Sequence, residues 1–138
     1  MRDQYALNYA IYGHDFDVDA VLAEARPHSE MKLWRKGDTA GRTKAAASSG
    51  IEIQILETND PRRLAQATEE FLEKEVIFLH VAGRHTREKI WSVLGCRIFV
   101  YSAVQGKIWL PPRVLKSLGE LGIELDVNAY PCSDPEEQ

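Results

Sequence analysis

The chain is poor in cysteine, in long apolar runs and in surplus charge. Cys96 and Cys132 are its only cysteines and no CxxC occurs, which excludes a disulfide framework and a zinc ribbon. The longest apolar run, around Val76–Leu79, falls far short of the ~20 residues that a bilayer span needs. Met1-Arg2-Asp3-Gln4 has no apolar stretch behind it to act as a secretory signal, so a cytoplasmic location is expected. Seventeen basic against twenty-one acidic residues give a net charge of −4, the wrong sign for a dedicated nucleic-acid binder. HExxH, GxSxG and GxGxxG are all missing, and His14, His28, His80 and His85 are scattered without metal-ligand spacing. No cofactor, metal or catalytic residue is expected.

What is present is ordinary globular material: 138 residues, 44% hydrophobic and 28% charged. That length fits one domain, taken as residues 1–131, with an acidic tail at 132–138. Leu7, Tyr9 and Ile11 alternate with Ala6, Asn8 and Ala10, which predicts a strand over Tyr5–Tyr12. Asp17 is placed to cap a short helix, with Phe16 and Val21 as its apolar staple. Met31–Arg35 reads as a second strand, and Ile51, Ile53 and Ile55 as one face of a third. Residues 37–50 are small and polar, with no apolar anchor, and read as a mobile loop.

Asp60 and Pro61 start a helix; periodicity does not decide whether Val76–Val81 continues it or forms a buried strand, and the preferred reading is helix to Ala82, closed by Gly83. Thr86–Val93 reads as a further short helix ended by Gly95, and Arg97–Ser102 as a strand. Pro112–Leu121 is a helix closed by Gly122, burying Leu115 and Leu118. In the last strand Ile123, Leu125, Val127 and Ala129 should point inward, and Glu124, Asp126, Asn128 and Tyr130 outward. The fold class is therefore α+β: a mainly antiparallel sheet of about five strands, with helices on one face. Asn8, Glu52, Gln54, Glu124, Asp126 and Asn128 would line the other face. Both ends of the chain run strand, helix, strand, a sign of two related β-α-β units.

Tyr12-Gly13-His14-Asp15-Phe16-Asp17-Val18, Trp34-Arg35-Lys36-Gly37-Asp38 and Leu110-Pro111-Pro112-Arg113-Val114-Leu115 follow one another at long intervals. Leu118, Leu121-Gly122 and Leu125-Asp126-Val127 complete the series. Together they resemble a family of small bacterial proteins known as domain of unknown function 4279, over most of residues 5–131. Val18 and Pro111 depart from the proline and serine of that pattern. The resemblance implies a compact α+β domain and no chemistry.

Two motifs imitate ligand sites. Asp15, Asp17 and Asp19 have the spacing of a calcium loop, but Ala20 stands where its glycine belongs and Arg26 where its last glutamate belongs. Gly37-Asp38-Thr39-Ala40-Gly41-Arg42-Thr43 has one residue too few between its glycines for a phosphate loop, and an arginine for the lysine. Between Lys32 and Ala47 stand five basic residues and one acid. Trp34, Arg35, Lys36 and Arg42 are therefore the candidate binding residues, since guanidinium groups beside an indole can grip an acidic group. On a strand Lys36 would project with Trp34 and Arg35 would oppose it. These features point to a non-enzymatic binding module acting on an unidentified protein partner or on a second copy of itself, antidote- or immunity-like in kind. The alternative is a small-ligand or phosphate-handling enzyme that uses the Trp34–Lys44 loop.

Overall fold

Tyr9 has none of its side chain exposed, and the elements are arranged around it. In the computed structural model, which describes residues 2–39, 44–101 and 107–133, it sits mid-way along strand β1 (Gln4–Gly13). The other strands are β2 (Lys32–Trp34), β3 (Ser49–Thr58), β4 (Ile90–Val100) and β5 (Glu124–Pro131). They form one sheet in the order β2-β3-β1-β4-β5, antiparallel except for the parallel pair β4–β5. Among the described residues four helices complete the α+β fold: α1 (Val18–Glu24), α2 (Arg63–Lys74), α3 (Val76–Arg84) and α4 (Pro112–Glu120). Among the described residues no helix is long and apolar enough to cross a membrane.

Strand alternation divides the sheet into two faces. Tyr5, Leu7, Tyr9 and Ile11 pack with Ile51, Ile53, Leu94, Cys96 and Ile98, and the helices bury this side through Val21, Leu64, Phe71, Phe78 and Leu118. Tyr9 meets Phe71 and Phe78 at ring-centroid distances of 5.7 and 6.3 Å, and its hydroxyl is hydrogen-bonded to Ser92 Oγ at 2.8 Å. That bond satisfies the one polar atom a tyrosine brings into a core. Burial pushes the Tyr9 phenol well above its ordinary range, a shift the Ser92 bond partly opposes.

Several local expectations are corrected. The helix from residue 63 does not run unbroken to Ala82. It stops at Glu75, whose carboxylate is 1% exposed and accepts the backbone N–H groups of His28 (2.7 Å) and Ser29 (3.2 Å). A buried carboxylate must find donors, and turning the backbone at Glu75 aims it at them. Val76–Val81 is helical as expected, but Gly83 lies inside α3 and His85 caps it. Thr86–Val93 is not a helix, because Ile90, Ser92 and Leu94 continue the alternation of β4. Gly95 accordingly lies within β4 and ends nothing.

Gly122 does close α4, at φ 69°, where glycine carries no Cβ penalty. Leu118 is buried, but Leu115 is 47% exposed. Leu125, Val127 and Ala129 share the core face by register, yet β5 is the edge strand and α4 covers it only in part, so they stay exposed. Both ends of the chain form parallel β-α-β segments in the one sheet; they differ in that β3 separates β1 from β2, whereas β4 and β5 are neighbours. The tail from residue 134 lies outside the described residues.

Candidate functional site

The face of the sheet without helices carries an aromatic row. Strand register aligns Trp34 with Gly50, Gly50 with Tyr12, and Tyr12 with Trp91, across β2, β3, β1 and β4. Gly50 makes room for the row. A Cβ built on it would come within 2.2 Å of Trp34 Cζ2, so the indole lies flat over this glycine. The Trp34 Nε1–H donates to Ser48 Oγ at 3.4 Å, which holds the ring down. Tyr12 and Trp91 pack at 5.6 Å between ring centroids.

Beside the row the floor is low. Ala10, Val93 and Gly95 occupy neighbouring positions, and polar groups stand around them. Asn8 leans over Gly95, where a Cβ would come within 2.6 Å of its Oδ1. Its amide has no side-chain hydrogen-bond partner among the described residues. Glu52 flanks Ala10, and Glu124 and Asp126 rise from β5 opposite Val93 and Gly95. Asp126 accepts a hydrogen bond from Asn128 Nδ2 at 3.2 Å; none of these three carboxylates forms an ion pair with a described residue. The resulting groove of about 340 Å³ runs past Trp34 and Tyr12, and a second hollow of about 270 Å³ continues it past Trp91. This face holds the polar set predicted by alternation, and it joins that set to an aromatic platform.

The basic candidates lie elsewhere. Arg35 Nη2 is 2.8 Å from Asp19 Oδ1, and this pair holds the Asp19 carboxyl below the usual range. Lys36 does not project with Trp34. Its backbone N–H donates to Ser49 Oγ, and its Nζ lies 2.8 Å from His14 Nε2. The His14 Nδ1 is in turn 3.1 Å from Asp15 Oδ1, a contact that lowers the Asp15 carboxyl. Arg35 and Lys36 thus both turn toward the aspartates at the start of α1, where opposite charge draws them. Asp17 caps α1 by accepting the Ala20 N–H at 3.0 Å, so all three aspartates of the calcium-like spacing have partners within the fold. Arg42 lies outside the described residues. The 37–50 segment has an anchor that sequence reading missed: Ala46 is buried, and it exchanges backbone bonds with Gly37 and Asp38.

Sequence reading found Trp34 but not its neighbours. Tyr12 was legible as a strand residue, whereas Trp91 fell in a segment read as helix. The glycines that shape the site, Gly50 and Gly95, lack any signal that distinguishes them from turn glycines.

On the helix side a hollow of about 470 Å³ separates α2 and α3 from α4. Arg113 spans it to Glu69, so the arginine lining it is already engaged. Among the described residues no group of three or more His, Cys, Asp or Glu is arranged to hold a metal ion. Cys96 has no exposed surface, and burial pushes its thiol up to about 11, away from nucleophilic use near neutral pH. In comparisons with known proteins, no family model matches the chain, and no curated protein or solved structure is significantly similar to it.

Proposed function

We propose that the protein is a non-enzymatic binding module that presents its uncovered sheet face to a partner bearing arginine or lysine side chains. The observation that carries this reading is the juxtaposition of the Trp34–Tyr12–Trp91 row with the carboxylates of Glu52, Glu124 and Asp126, none of which forms an ion pair with a described residue. Aromatic faces attract cations, and tryptophan and tyrosine are the residues that most often anchor protein interfaces. Carboxylates beside them supply the second half of a guanidinium site, and the Asn8 amide adds a neutral donor and acceptor. The groove is shallow and open, which suits a side chain offered by another protein better than an enclosed substrate. Masking a partner in this way is what an antidote- or immunity-like protein does. Membership in the family that most of residues 5–131 resemble belongs to the same proposal and adds no chemistry to it.

The test is titration with a short arginine-containing peptide and with its glutamate counterpart, followed by calorimetry. The arginine peptide should bind, more weakly as salt rises, and the Glu52→Lys/Asp126→Lys double variant should lose that binding. Equal affinity for both peptides, or an unaffected double variant, would overturn the reading.

A further inference from the structure

Among the described residues β5 leaves one edge of the sheet open over eight residues, and at the opposite edge the three-residue β2 pairs with part of β3. An open edge of this length is a template for another strand. The backbone shows which groups it offers. Cys132 N–H donates to Val100 O at 2.7 Å, so the even-numbered positions of β5 turn toward β4 and the odd ones turn outward. Leu125, Val127 and Ala129 therefore present N–H and C=O groups that no described residue pairs, and Pro131 presents a carbonyl alone.

The side chains at this edge are also uncovered. Leu125 and Val127 lie on the core face with about two-fifths of their surface exposed. On α4, Arg113 and Ser117 face the groove toward α2 and α3, and Val114 and Leu118 face the core. Leu115 does not line that groove and is half exposed, on a helix that packs against β5. Leu115, Leu125 and Val127 are thus three exposed apolar side chains on two elements that pack together.

We infer that β5 is the interface of a two-fold symmetric dimer, in which it pairs antiparallel with β5 of a second copy. Charge and proline select one register. Placing Val127 opposite its own copy sets Leu125 against Ala129, and every outward N–H and C=O of these residues is then paired. On the open face the same register sets Asp126 against Asn128 and Glu124 against Tyr130, with no like charges opposed. A shift of one pair in one direction sets Asp126 against Asp126. A shift in the other sets Leu125 against Pro131, which has no N–H to give. Because the two-fold contact uses the same β5 edge on both copies, pairing closes at two copies and does not grow into a fibre. The dimer joins two sheets into one and buries Leu115, Leu125 and Val127 against their copies.

The test needs no added partner: light scattering and analytical ultracentrifugation of the full chain, from micromolar to millimolar concentration. The chain should reach twice its 15.6 kDa mass. Val127→Pro removes an outward N–H without touching the β4 ladder and should give a folded monomer. Asn128→Lys, opposite Asp126 twice in the dimer, should tighten association by about tenfold, and Asn128→Asp should weaken it about as much. The Asn128 variants leave the backbone alone and decide the matter if Val127→Pro does not fold. A wild-type chain that stays monomeric at millimolar concentration, a Val127→Pro dimer, or indifference to both Asn128 changes would overturn the inference.

Discussion

Trp34 lies flat on Gly50, near enough that a single added methyl group would meet the indole at 2.2 Å. Glycine at this position is therefore a packing requirement of the open face. Gly50→Ala should lift Trp34 from the sheet at a cost of about 1 kcal/mol in stability. Iodide should then quench Trp34 more readily, and affinity for an arginine peptide should fall. Fluorescence quenching in a chain with Trp91 and Trp109 replaced by phenylalanine isolates this one indole.

Glu75 fixes the break between α2 and α3. Glu75→Ala would strand the N–H groups of His28 and Ser29 and should cost about 3 kcal/mol, read from urea unfolding. Glu75→Gln keeps one acceptor and should recover part of the loss.

On α4 the two leucines separate cleanly. Leu118→Ala removes a buried side chain and should cost ~2–5 kcal/mol. Leu115→Ala at dilutions that favour the monomer should change stability by less than about 1 kcal/mol, because nearly half of Leu115 is already in water. Thermal melts of the two variants check the contrast.

Much of the fold was legible because the physical signal was local. Alternation at Leu7, Tyr9 and Ile11 needs only the pleat, and Asp17 and Gly122 need only helix-end geometry. The misread stretches depend on distant partners. Glu75 breaks a helix because residues 28 and 29 offer it donors, and Ser92 interrupts an apolar pattern because Tyr9 needs a hydroxyl. At the site, local charge density drew attention to Arg35 and Lys36, but Asp19 and His14 already occupy them. The aromatic row exists only through strand register, which no local pattern reveals.

Cys96 gives a pH signature. Its raised pKa of about 11 favours the neutral thiol in the fold, so the stability it contributes is present below the ordinary thiol range. That contribution is lost as pH rises from about 9 toward 11. Alkaline unfolding should be less steep in Cys96→Ala, measured by urea midpoints across that window. In the native protein at pH 8, a thiol reagent should label Cys132 and leave Cys96 unmodified.

The central claim is that the uncovered face receives a cationic side chain. It is tested most directly by amide and indole spectra recorded while an arginine-containing peptide is added to the isotope-labelled protein. The account predicts shifts centred on Asn8, Ala10, Tyr12, Trp91, Val93 and Gly95 and on the Trp34 indole N–H. Shifts centred instead on Arg35 and Lys36, on the groove between α2 and α4, or on no residue at all would contradict it.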